Sequence, residues 1–476
     1  MQAKNVVCLI VLALMPCFLL GQVRPKVQKL ADTIGKRESL EYAYIGGSTI
    51  SEGYKQFLKL SKMAKTSELV ELLNHRSPVV QGYAIMGLVD RKYEGLIPVF
   101  KQVLASNNFL RTEFGCLMFT ESVASVACEQ VMNQTDAKKT KWTPKEIEQT
   151  LSEFGKITVY TDSVDRGLLD KALLFWFIPQ EKDYDRLRYI ANRDSSHYAL
   201  LALAKFHKEA DVDFIKSFGK QSFWAIGEFP HPKFWDFLVA NSLEYENNFY
   251  LKAVSKYCSP EAAALLSSCL VSREKIKPEF PSQDLLKDLY QIVSEAKCPF
   301  NDSILLKMWQ KHKMIDEDAF DYLQKRYPIY LSEIIRDKMM EKGAYQSLDS
   351  ENSNYFPPEI LKKMLTLIKK KSINDWHAVV SFNIKQSQEY QPFFLAGVLS
   401  KEERLDFKTD FLEGLQNATN IYDIRLNLDY LLETKDTSFY PAIAKALENN
   451  KAIWNWGGWA ESILENIKKY KLPVKL

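Results

Sequence analysis

Apolar residues recur at helical spacing from residue 67 onward. Leu69, Leu72 and Leu73 lie on one face of a helix that ends at Asn74-His75-Arg76. Ser77-Pro78 then restarts the chain, with Ser77 as N-cap and Pro78 at the first helical position, where its missing N–H costs nothing. Val80, Ala84, Ile85 and Leu88 continue the stripe, and small Ala84 and Gly87 leave room for a neighbouring helix. A second helix follows, with Leu96, Val99, Phe100, Val103 and Leu104 on its apolar face and Pro98 in its first turn, where proline is tolerated. Ser67–Leu104 therefore predicts a helix–turn–helix unit.

The unit recurs. Tyr83–Glu94 aligns without a gap on Tyr198–Glu209, and Ile97/Val212, Val99/Phe214 and Phe100/Ile215 keep register. Phe249–Tyr257 repeats the first half, continued by Ala263, Leu265 and Leu266. Asn108–Met118 aligns with Pro78–Leu88, with Leu110 for Val80 and Arg111 for Gln81, which predicts a further helix there. Tyr422–Leu432 followed by Phe439–Leu447 matches the whole unit, with Pro441 in the place of Pro98.

On these residues, above all Ser77-Pro78-Val79-Val80-Gln81 with Ala84 and Leu88, the chain resembles the HEAT repeat, a pair of antiparallel helices. The resemblance implies an all-α fold of helical hairpins stacked as an α-solenoid with a concave binding surface. It is good at residues 67–105, fair at 184–216 and weak from 285 onward. Tyr44-Ile-Gly-Gly-Ser-Thr49 also resembles the lead-in of secreted bacterial HEAT-like proteins that have no assigned activity.

Polar breaks divide the pattern. Residues 134–145 interrupt the early repeats, residues 272–282 with two prolines and mixed charge read as a linker, and residues 346–354 form a third polar loop. The expected organisation is a signal peptide over 1–21, a helical lead-in over 22–60, a HEAT-like segment over 61–271, the linker 272–282 and a degenerate helical segment over 283–476. Lys4, the apolar run Val6–Leu20 and Gly21-Gln22 carry the secretory reading, since the run is short for a membrane span. Bulky Leu19 near the junction leaves an uncleaved anchor as the alternative address. Lipidation at Cys17 is disfavoured by the large residues around it. The expected location is secreted or periplasmic.

Of the 476 residues, 46% are hydrophobic and 26% charged, which suits a packed globular core. A net charge of +3 argues against a nucleic-acid partner. Removal of the signal leaves Cys116, Cys128, Cys258, Cys269 and Cys298. Bridges Cys116–Cys128 and Cys258–Cys269 would each lie in or beside one repeat, but small buried core residues are the favoured reading.

Searches for chemistry return little. No GxSxG, HExxH, GxxxxGK[ST] or GxGxxG is present, and none of the six histidines is followed by Glu, as di-iron HEAT enzymes would require. Gly46-Gly47-Ser48-Thr49 lacks the Lys of a phosphate loop and reads as a turn. Asp316-Glu317-Asp318 reads as the favourable acidic start of a helix, and Asp349–Asn354 as a solvated loop without the Gly and distal Glu of a calcium site. No catalytic residue, cofactor or metal is assigned. Two aromatic clusters stand out. Phe223–Trp235 reads mainly as core, whereas Trp454, Trp456 and Trp459 around Gly457-Gly458 are the candidate contacts for a partner or a glycan. The resulting expectation is a non-catalytic protein-interaction scaffold with another protein as partner. The alternative is carbohydrate binding or processing in a helical toroid, which needs facing carboxylates and exposed Trp.

Overall fold

The computed structural model is mostly helical, and its early helices fall where the apolar periodicity puts them. It describes residues 23–43, 50–135, 140–275, 282–341, 358–385, 397–450 and 460–475. Residues 1–21, where a signal peptide was expected, Gly46–Thr49, Asp349–Asn354 and the tryptophans at 454, 456 and 459 lie outside these residues. The chain divides into two units, Met1–His231 and Pro232–Leu476. The polar stretch 272–282 falls inside the second.

The first unit runs α1 (Pro25–Ile34), β1 (Ser39–Glu41), α2 (Glu52–Met63), α3 (Thr66–Leu72), α4 (Pro78–Asp90), α5 (Leu96–Ser106), β2 (Phe109–Phe114), β3 (Leu117–Ser122), α6 (Val123–Met132), α7 (Pro144–Val159), α8 (Arg166–Lys171), a π-helical turn (Ala172–Trp176), α9 (Tyr184–Asp194), α10 (His197–Ala204), α11 (Val212–Lys216) and α12 (Phe223–Glu228). Helix α4 opens with Pro78 at its first position and Ser77 as N-cap, although the Ser77 side chain makes no cap hydrogen bond. Every residue from Val79 to Val89 is buried, as expected of a helix that is apolar all round. Helices α1, α2, α3 and α6 and strands β1 and β2 surround it. Gly87 lets Leu69 of α3 come so close that an added Cβ would lie 3.0 Å from Leu69 Cδ1.

Asn108–Met118 does not form the predicted helix. Asn107 takes the left-handed conformation (φ 47°) and ends α5, after which the chain makes an antiparallel hairpin of β2 and β3. Asparagine tolerates that conformation better than most residues. Strand β2 also pairs in parallel with β1, Ser39 opposite Arg111 and Glu41 opposite Glu113. The helical alignment failed here because these pairings join residues about 70 positions apart, beyond any local pattern.

In the second unit the helices are α13 (Trp235–Ala240), α14 (Asn248–Ser255), α15 (Pro260–Glu274), α16 (Ser282–Ala296), α17 (Asp302–His312), α18 (Glu317–Arg326), α19 (Pro328–Met339), α20 (Pro358–Lys371), α21 (Ile373–Lys385), α22 (Lys401–Asp406), α23 (Lys408–Asn417), α24 (Ile421–Glu433), α25 (Tyr440–Asn449) and α26 (Ala460–Tyr470). Several helices contact both the next helix and the one after it: α14 meets α15 and α16, and α19 meets α20 and α21. Helices α24 and α25 stand where the last sequence repeat predicts them, and both pack on neighbouring α23.

One backbone feature repeats with the sequence. Lys92 (φ 55°), His207 (φ 52°) and Cys258 (φ 41°) are left-handed residues that follow α4, α10 and α14. They occupy the same position in the aligned segments that begin at Tyr83, Tyr198 and Phe249. A left-handed residue of this kind stops a helix and turns the chain.

Cys258 is bonded to Cys298, not to nearby Cys269, which is a buried free thiol. Cys128 is likewise buried and free, and Cys116 is exposed and free, so neither short-range pairing forms. The bridge joins the C-terminal ends of α14 and α16, two helices in direct contact. It closes a loop with a sequence separation of 40. Replacing both cysteines by serine should lower stability by about 2–4 kcal/mol through the greater freedom of the unfolded chain. The check is the urea midpoint of the oxidised protein against that of the double variant. Equal midpoints would mean that the bridge does not constrain the chain.

Candidate functional site

The β2–β3 hairpin is the densest exposed apolar feature among the described residues. Its two-residue loop is Gly115-Cys116, and Gly115 has φ 60°, which suits the first central position of a type II′ turn. Register follows: Phe114 faces Leu117, Thr112 faces Phe119 and Leu110 faces Glu121. Alternation then places Leu110, Thr112, Phe114, Leu117, Phe119 and Glu121 on one face, and Phe109, Arg111, Glu113, Met118, Thr120 and Ser122 on the other.

Near its root the first face is buried. Leu110 packs over Gly82 of α4, while Thr112 and Glu121 are also enclosed. Toward the tip the same face is bare, with Phe114 62%, Leu117 53% and Phe119 52% exposed, and Met118 (61%) and Phe109 (43%) exposed on the other. Taking ~200 Å² for a large side chain, Met118 and Phe109 leave about 200 Å² in water on the opposite face, while Phe114, Leu117 and Phe119 together leave about 330 Å² of apolar surface on the first. That is near the largest patch a monomer usually shows, and such patches commonly mark binding sites.

The root carries the charge. Tyr42 donates its hydroxyl to Glu129 Oε2 at 3.0 Å, and Lys171 Nζ donates to Glu129 Oε1 at 2.7 Å. Thr112 donates to Glu121 Oε1 at 2.5 Å, and the Glu129 carboxylate lies near enough to act on the Glu121 carboxyl. Burial and then the neighbouring Glu129 charge push the Glu121 carboxyl up to about 7, against the opposing pull of Thr112 and Lys171. Tyr42 is raised too, first by burial and then by Glu129. This arrangement ties β3, α6, α8 and the end of β1 at one point.

The remaining sequence candidates do not converge. Asp316 caps α18 by accepting from Ala319 N at 2.6 Å, with Glu317 and Asp318 in the first turn. His75 lies against Asp32, His312 against Glu274 and His377 against Trp376 and Phe407. His197 sits between Tyr198 and Trp224, and burial lowers its pKa. Among the described residues no group of three or more His, Cys, Asp or Glu is placed to hold a metal ion. Phe223, Phe229 and Phe234 are buried, whereas Trp224 and Trp235 are half-buried. Sequence reasoning missed the hairpin. Its signals were the Gly-Cys pair between Phe114 and Leu117 and the mirrored Thr112-Glu113-Phe114 and Phe119-Thr120-Glu121.

No family model, no curated protein and no solved structure matches the chain. The functional reading rests on its own residues.

The Glu121 pair makes stability depend on pH. Between the ordinary carboxyl value of ~4.5 and about 7, the folded protein keeps a proton that the unfolded chain releases, so stability falls as pH rises through this window and levels off above it. The Arg24 guanidinium holds Glu68 down at about 2, so that group contributes equally from pH 5 to 8 and does not mask the effect. Glu121→Gln should remove the trend. The unfolding free energy of the variant minus that of the wild type, from urea titrations, should grow from pH 5 to pH 8 by on the order of 2 kcal/mol. A constant difference would show that Glu121 does not hold the proton.

Proposed function

We propose that this chain is an exported, non-catalytic binding protein of the HEAT-like α-solenoid type, which acts by protein–protein contact. The observation that carries this reading is the bare apolar tip of the β2–β3 hairpin, where Phe114, Leu117 and Phe119 leave about 330 Å² of side chain exposed on one face above an anchored root. Support for the repeat architecture comes from the left-handed residues Lys92, His207 and Cys258 at equivalent positions and from the contacts between successive helices. Support for export comes from the apolar run Val6–Leu20 and from the Cys258–Cys298 bond, which persists in oxidising compartments. No helix among the described residues is long and apolar enough to cross a membrane. A second copy, another protein, or both in turn can meet the hairpin.

The test is capture in the native host. Tagged full-length protein is crosslinked gently, the mature form is purified from envelope and secreted fractions, and its companions are compared with those of a Phe114→Ser/Leu117→Ser/Phe119→Ser variant. A protein crosslinked in stoichiometric amount to the wild type, and reduced at least about tenfold by the variant, is expected. Companions equally abundant with the variant, or none with either, would remove the hairpin from the function.

A further inference from the structure

The outer edge of β3 is open: the sheet order is β1-β2-β3, and no strand among the described residues pairs beyond β3. The turn makes Phe114 and Leu117 a hydrogen-bonded pair, and bonded and non-bonded pairs alternate from there. Leu117, Phe119 and Glu121 therefore turn their backbone groups toward β2, while Met118 and Thr120 turn theirs outward. The edge Leu117-Met118-Phe119-Thr120 has no proline or charged residue, the usual guards against edge pairing.

From this edge we infer that the chain forms a homodimer by antiparallel pairing of β3 with β3 of a second copy, about a two-fold axis through Phe119. The inference rests on the hairpin as the binding surface and names its occupant. The axis places Met118 opposite Thr120 of the other copy, and Thr120 opposite its Met118, so the outward groups make four backbone hydrogen bonds. The two Phe119 side chains meet as a non-hydrogen-bonded pair, where side chains approach most closely. The sheet becomes six strands with both copies presenting the same face upward.

That last point selects a second copy over a lone peptide strand. Helix α4 covers the Leu110 face at the root of each hairpin, while Phe114, Leu117 and Phe119 of the same face overhang at the tip. Antiparallel pairing lays each bare tip beside the helix-covered root of the other copy, with Leu117 opposite the other Glu121. An isolated strand would satisfy the edge and leave the tip uncovered. No like charges meet, because apolar Leu117 stands opposite Glu121 and neither Met118 nor Thr120 is charged.

The mature full-length protein is to be measured by sedimentation velocity and light scattering across about 1–100 µM. A dimer is expected, and Thr120→Pro should raise its dissociation constant at least about tenfold, because it removes an outward N–H and leaves the β2 pairing intact. Met118→Lys should do the same through a charge on the edge, which keeps the test valid if the proline variant fails to fold. In a Cys116→Ser background, Phe119→Cys should form an intermolecular disulfide under mild oxidation, whereas Thr112→Cys should not. A protein monomeric throughout, or a dimer indifferent to both edge variants and without the Phe119→Cys crosslink, overturns the inference. A monomer whose hairpin still captures another protein in the native host overturns the homodimer and leaves the binding function standing. Hairpin-independent capture combined with no dimer removes both.

Discussion

The closeness of α4 to the sheet at Gly82 is the constraint on which the first unit depends. A Cβ at that position would fall 2.6 Å from Leu40 Cδ1 and 3.1 Å from Leu110 Cδ1, so nothing larger than glycine permits this spacing without movement. Leu40 on β1 and Leu110 on β2 are thereby pressed onto a helix that is itself buried on every side. The two strands are held by the same helix, and this is how they come to pair in parallel across a long stretch of sequence. Hydrophobic burial supplies the driving force, and the missing side chain sets the distance.

Once the sheet is seated, the hairpin has two unlike halves. Its root is fixed by Leu110 against α4 and by the polar group of Tyr42, Thr112, Glu121, Glu129 and Lys171. Its tip extends past the helices that cover the root, and the same face that is core at Leu110 is surface at Phe119. Apolar residues in such a place cost solubility and contribute nothing to the unit's own core. A contact with another chain gives them a physical reason to be there. The polar group ties the base together, with Tyr42 and Lys171 donating to Glu129 and Thr112 donating to Glu121.

Much of the helical part was legible. Ser77-Pro78, the stripe through Leu88, the close approach at Gly87 and the acidic opening at Asp316 all depend on neighbours within a turn or two. The shared left-handed position at Lys92, His207 and Cys258 was present in the alignment but not recognisable as such, because those residue types carry no common mark for a positive φ. The helix expected over Asn108–Met118 was drawn from its alignment with Pro78–Leu88, in which Leu110 stands for Val80 and Arg111 for Gln81. Periodicity over so short a run does not separate a helix from a strand that is half buried and half bare.

By itself the sequence determined the predominance of helix, the boundaries of the early hairpin unit and the lack of familiar catalytic motifs, since each depends on spacing of a few residues. Tertiary structure alone decided the partner of Cys258, the pairing of β1 with β2 and the meeting of Glu121 with Glu129 and Lys171. It also decided which half of the hairpin is covered. These outcomes join residues far apart in the chain that meet only when helices and strands pack, and no local pattern records that encounter.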